Sequence, residues 1–377
     1  MAEPVDIRGT CDELFAGVRA AVERNIGEGL ELGARFVLEV DGQTAVDLMG
    51  GFADRAGARL FDETTLTPVF STTKALAALM IARAVEQGKL TYTQAVADLW
   101  PEFAQAGKGA ITVEQALSHQ AGLPGLLEPM DPAVWFDWDV LCAKLAAMAP
   151  MWPPGSAAGY HPVTFGYIAG EIFRRADGRT MGQALREDVA GPCGLDLWIG
   201  IPESEDPRLA EMERPKALPD FGTINDYRKA AFFTPWASPG GRGGGTWRRS
   251  EIPSANGHAT AGALARLMGA LARDGTLDGQ AILSPAMVRE ASRERIEGDD
   301  LVLPYHMSWG AGFMRNDGLW IYGNGDTAFG HSGWGGSCAF ADPERRVSGA
   351  YVMNRQSSSL LGDPRSQRLI EAAFRAL

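Results

Sequence analysis

A chain of 377 residues, 45% apolar and 22% charged, can bury a sizeable core and has the composition of neither a disordered nor a fibrous polymer. A formal net charge of −12 speaks against a nucleic-acid surface, which needs clustered lysine and arginine. The scattered cysteines Cys11, Cys142, Cys193 and Cys338 fit neither a disulfide scaffold nor a zinc site and read as reduced thiols, mostly buried.

In chain order, Met1–Asp6 shows no basic-then-apolar leader and no run of 18 apolar residues follows. The expectation is therefore a cytoplasmic protein with no membrane and no nucleic-acid partner. Cys11 to Ile26 reads as a helix closed near Gly27, and Arg35–Val40 and Gln43–Leu48 read as strands joined at Asp41-Gly42, a strong hairpin signal. Pro68-Val69-Phe70 leads into Ser71-Thr72-Thr73 and a helix from Lys74 to Gln87, ended by Gly88. Its run from Ala75 to Ala82 is apolar all round, which predicts burial at the centre of its domain, with a serine or threonine as N-cap.

Thr91 to about Arg186 is helix-rich, broken by loops at Gly122–Pro132 and Pro150–Gly159. Pro202 to Gly257 loses periodicity and reads as a lid, a binding loop or a disordered segment, with Gly240–Gly245 as a flexible linker rather than a phosphate loop. Ala259–Arg273 is a helix; His306–Met314, Trp320–Tyr322, Ser337–Ala341 and Val347–Asn354 read as strands, and Pro364–Leu377 as a closing helix. Strands at both ends with helices between predict one α/β catalytic unit. Residues 1–70 and 250–377 would form an α/β lobe, and residues 71–249 a mainly helical lobe carrying a lid-like loop at about 202–257.

The chemistry concentrates at Ser71 and Lys74. At i and i+3 on a helix the two side chains share a face, and a lysine leading into an all-apolar helix has few solvated directions. Burial lowers a lysine pKa, which is what a proton acceptor for a serine nucleophile needs. The helix N-terminus favours negative charge near Ser71. Ser-x-x-Lys by itself occurs by chance at roughly 0.3 matches in a chain of this composition.

Phe70-Ser71-Thr72-Thr73-Lys74-Ala75 resembles the nucleophile motif of serine β-lactamases, DD-peptidases and the family VIII carboxylesterases. Leu117–Leu123, Pro153-Pro154-Gly155-Ser156 before Tyr160, and Gly330-His331-Ser332-Gly333 follow in that family's order, and the resemblance spans about residues 8 to 377. It implies an antiparallel sheet flanked by helices plus a mainly helical lobe. It also implies Ser71, Lys74 and Tyr160 as the catalytic group, and an oxyanion hole from backbone N–H groups of Ser71 and of Trp334 or Gly335. Candidate substrate contacts are His331, Ser332, Gly333, Trp334, His161 and Trp152, and Trp236 and Trp247 are further candidates for apolar lining. Lys74 beside Tyr160 is expected to lower the phenol's pKa, so that the pair titrates jointly.

Pro162 stands where class C β-lactamases and many DD-peptidases have an asparagine, and His331 stands where β-lactamases have a lysine. Both departures resemble the esterase branch and point to short-chain carboxylic esters, with no cofactor and no metal. The competing readings are a β-lactamase or D-amino-acid peptidase, an acyltransferase to a small alcohol, and an inactive binding protein on the same scaffold. A Gly-x-Ser-x-Gly elbow fails at Trp334, no pattern assembles the five histidines into a Ser-His-Asp triad, and His119 and His161 read as structural.

Overall fold

The computed structural model describes residues 6–377. Asp41 and Gly42 both take left-handed φ, 51° and 78°, and close the hairpin of Gly33–Val40 with Gln43–Gly51. That hairpin is part of a nine-stranded antiparallel sheet. Its spatial order is Ile7–Cys11, Gln43–Gly51, Gly33–Val40, Val347–Met353, Cys338–Asp342, Phe329–Ser332, Met314–Arg315, His306–Trp309 and Ile296–Asp299. The two chain ends thus meet at the sheet centre, where Ala350 sits opposite Val37.

Strand alternation sends residues to two cores. Phe36, Leu38, Phe340, Tyr351 and Met353 pack with the terminal helices Ala16–Gly27 and Pro364–Phe374. Val37, Ala339, Ala341, Ala350 and Val352 face the Ala261–Leu271 helix and the central helix Thr73–Glu86. The central helix buries eleven of its fourteen residues, as an apolar-all-round sequence requires.

Several expectations are corrected. Ile7–Cys11 is an edge strand, so the helix expected from Cys11 begins only at Ala16, after a short 3-10 turn. His306–Met314 is split, because the chain bends through Gly310–Phe313 between two short strands. Trp320–Tyr322 is a turn with Trp320 half exposed and at φ 53°. A small sheet of Thr67–Phe70, Gly257–Ala259 and Leu197–Ile199 forms beside the central helix. No serine or threonine side chain caps that helix. The Thr73 hydroxyl instead donates to the Phe70 carbonyl at 2.5 Å and accepts from the Gly257 N–H at 2.8 Å, and so ties the helix start to the small sheet. The segment 202–257 contains short helices at Glu203–Arg208, Asp226–Arg228, Lys229–Phe233 and Gly245–Arg249. Among the described residues, no helix is long and apolar enough to cross a membrane.

Candidate active site

Phe70 ends its strand at φ 47°, a left-handed conformation that costs a non-glycine residue about 1–3 kcal/mol and tends to occur at functional turns. The turn presents Ser71 in an open cleft of about 1150 Å³ that Tyr160, Pro162 and Trp334 also line. One helical turn on, Lys74 is fully buried. Its Nζ lies 2.7 Å from the Pro162 carbonyl oxygen, 3.0 Å from that of Ser254 and 3.2 Å from Ser71 Oγ. Burial alone holds its pKa well below the ordinary lysine range, and no carboxylate offsets it. An amine in its neutral form has two N–H bonds and a lone pair. In that form the two N–H bonds can go to the two carbonyls, which turns the lone pair to the Ser71 hydroxyl.

Tyr160 completes the group. Its ring centroid is 4.7 Å from Lys74 Nζ, and it lines the cleft beside Ser71. The expected lowering of the phenol's pKa is not found. Burial pushes it above the usual tyrosine value, the neighbouring Ser71 hydroxyl opposes that only in part, and the nearby Asp300 carboxylate adds to it. Lys74 is not among the groups that move it, and with burial dominant Tyr160 stands as a protonated phenol.

Three histidines pack behind this group. His119 lies 4.9 Å from the Tyr160 ring, centroid to centroid, and His331 6.1 Å. Burial holds both well below the ordinary imidazole value, and lowers His161 to about 3. His161 Nε2 accepts from the Leu123 N–H at 2.9 Å and its Nδ1 pairs with the Gly159 carbonyl at 2.6 Å, so both ring nitrogens are committed to backbone.

The anticipated substrate contacts therefore divide. Ser332 and Trp334 line the cleft, together with Ser71 and Tyr160. His331 and His161 do not, being packed beneath its floor, and Trp152 does not, because its indole N–H donates to the Ala157 carbonyl at 3.0 Å and its ring packs on His161. Gly333 is also outside the lining. It lies so close to the Val69 carbonyl oxygen that an added Cβ would sit 2.2 Å from it, which explains the absence of a side chain there. Its N–H is spent on the Ser337 carbonyl at 2.7 Å, whereas the N–H groups of Ser71 and Trp334 donate to no backbone carbonyl among the described residues. Gly335, at φ 87°, is turned away from the cleft against Gln356. Trp247 lines the cleft and Trp236 does not. The Trp236 indole N–H donates to the Leu126 carbonyl at 2.8 Å, pinning the segment rather than facing the cavity.

Two features escaped the sequence reading. The cleft wall is mainly aromatic and aliphatic, with Phe221, Phe232 and Phe233 mutually in contact at 4.8–6.5 Å and Phe221 reaching Trp334 at 6.1 Å. Asp300, fully enclosed, accepts the backbone N–H groups of Tyr160 at 2.9 Å, Val302 at 2.9 Å and Leu303 at 2.8 Å, and so fixes the Tyr160 backbone. Burial raises its pKa above the usual carboxylate value.

Known proteins extend this picture. The family model described as Beta-lactamase matches residues 20–373. The chain is 35% identical over 368 residues to "Esterase/beta-lactamase LipL" of Mycobacterium tuberculosis, covering 94% of this chain and 84% of that protein. The crystal structure of a novel penicillin-binding protein homolog from Caulobacter crescentus superposes with a TM-score of 0.97 at 66% identity, covering 99% of this chain and 100% of the other. A family VIII carboxylesterase structure gives 0.92 at 43% identity, again over 99% and 100%.

Proposed function

From the premise that this chain belongs to the beta-lactamase family, as a hydrolase with the β-lactamase/penicillin-binding-protein fold, we propose that it is a serine carboxylesterase acting through an acyl-enzyme on Ser71. The observation that carries the reading is the buried Lys74 amine, its Nζ 2.7 and 3.0 Å from the carbonyl oxygens of Pro162 and Ser254 and 3.2 Å from Ser71 Oγ.

In this mechanism Ser71 Oγ attacks the ester carbonyl carbon as its proton passes to Lys74 Nζ. The carbonyl oxygen becomes an oxyanion held by the N–H groups of Ser71 and Trp334. When the tetrahedral intermediate collapses, the ester C–O bond breaks and the leaving alkoxide takes a proton from the Tyr160 phenol, which recovers one from the Lys74 ammonium. Water then attacks the acyl-enzyme by the same route in reverse, releasing the acid and restoring Ser71. Pro162 supports ester over amide cleavage, since this position offers a backbone carbonyl to Lys74 and no side-chain amide to a substrate. The apolar wall suits the carbon chain of a simple ester.

The test is a chromogenic butyrate ester with the purified protein beside its Ser71→Ala variant, and a chromogenic cephalosporin in parallel. Turnover of the ester that disappears in S71A supports the reading. Turnover of the cephalosporin with the ester untouched would replace it by a β-lactamase, and no turnover of either by a binding protein.

A further inference from the structure

One cation stands in the apolar wall. Arg242, in the run Gly240-Gly241-Arg242-Gly243-Gly244-Gly245, lines the same cleft as Ser71. Its neighbours Arg248 and Arg249 are both paired with Asp206, at 3.0 and 2.5 Å. Arg242 has no carboxylate partner among the described residues, and its one side-chain contact is a hydrogen bond donated to Ser238 Oγ at 2.9 Å. Its side chain is exposed at the cleft, open to solvent and to anything that enters, and the nearby Arg214 adds to the positive charge there. An unpaired guanidinium beside Phe221, Phe233 and Trp247 contributes nothing that the packing of the wall needs. With no carboxylate of the protein to hold it among the described residues, it is available to an anion that enters the cleft. The protein carries a net charge of −12, so a positive cleft mouth runs against the field of the whole molecule.

Resting on the esterase reading, we propose that the preferred substrates are esters whose apolar chain ends in a carboxylate, which Arg242 binds while the scissile carbonyl sits at Ser71. The glycines flanking Arg242 let the backbone turn there, with Gly241 and Gly243 at φ 64° and 81°. The guanidinium fork then receives the carboxylate by two parallel N–H···O bonds. The wall contacts the methylene chain between the two ends.

The experiment compares two substrate series in wild type, Arg242→Gln and Arg242→Lys. In the first, the anion is on the acyl side: mono-4-nitrophenyl esters of adipic, suberic and sebacic acids, each against its methyl-capped neutral diester. In the second, it is on the alcohol side: acetate esters of ω-hydroxyalkanoic acids against their methyl esters. The quantity read is the ratio of kcat/KM for the anionic ester to that for its neutral partner. R242Q lowers this ratio about tenfold or more in one series, R242K recovers part of it, and added salt lowers it in wild type, as a charge-assisted contact requires. The series that responds identifies which end of the ester reaches Arg242. A ratio unchanged by R242Q in both series overturns the proposal while leaving the esterase reading in place. Failure of wild type to hydrolyse any of these esters overturns the esterase reading, and the proposal with it.

Discussion

Beneath the cleft, polar atoms are held by short hydrogen bonds: the Lys74 amine by the carbonyls of Pro162 and Ser254, the Tyr160 N–H by the Asp300 carboxylate, His161 by the backbone of Leu123 and Gly159. In the wall, carried by residues 218–247, apolar rings pack against one another and the backbone runs through helices of three to five residues and a glycine run. The floor fixes atoms to within a hydrogen-bond length, which proton transfer needs. The wall offers area with little directional constraint, which suits a choice among carbon chains. The two are joined at Asp300–Leu303. Asp300 fixes Tyr160, while the carbonyls of Leu301 and Val302 accept from Asn225 and Arg228 of the wall segment at 3.0 and 2.9 Å.

If floor and wall divide chemistry from selectivity, their variants separate in kind as well as size. The largest effects belong to the floor. Ser71→Ala and Lys74→Ala each lower kcat for a butyrate ester by about a thousandfold or more, for every acyl length alike. Tyr160→Phe costs about a hundredfold, because a neutral proton donor is lost while nucleophile and base remain.

The pH profile sharpens that assignment. The working form of Lys74 is the neutral amine, and burial places its pKa well below the usual lysine range. kcat/KM therefore falls as pH falls through that lowered value and is level above it. Tyr160→Phe keeps this acid limb; its disappearance in that variant would make the phenol the base.

Asp300→Asn acts through the join. It replaces an acceptor of three backbone N–H groups by a weaker one, so kcat drops about tenfold as Tyr160 shifts. Tm falls as well, and KM for short esters changes little. The smallest effects lie in the wall. Phe232→Ala or Trp247→Ala lowers kcat/KM for a hexanoate ester about three- to tenfold relative to an acetate ester, the scale of one or two lost methylene contacts. Equal losses for both chain lengths would erase the division.

The floor was the more legible region because its signal is local. Ser71 and Lys74 are three residues apart, and the buried helix that follows them is visible in composition. Tyr160 and the Gly330–Gly333 strand were found through the order of motifs. Asp300 carries no such signal, since what it holds is a backbone N–H 140 positions away. The wall was illegible for a different reason. Elements of three to five residues are too short to show a period, and its aromatic residues cluster only through tertiary packing. Of the tryptophans, sequence offers no way to tell Trp334 and Trp247, which line the cleft, from Trp152 and Trp236. The indole N–H groups of the latter two are engaged by the carbonyls of Ala157 and Leu126. The strands at 67–70, 197–199 and 257–259 are almost wholly buried three- or four-residue runs without alternation, and a helical reading or none fits them equally well from sequence.

The central claim is that Ser71, activated by Lys74, becomes acylated. Peptide mass spectrometry after reaction with a 4-nitrophenyl alkylphosphonate reads it directly. The account predicts one adduct, on the peptide containing Ser71, formed in wild type and strongly slowed in Lys74→Ala. An adduct on Ser332 or Ser238, the other serines lining the cleft, or labelling of Ser71 at an undiminished rate without Lys74, would contradict it.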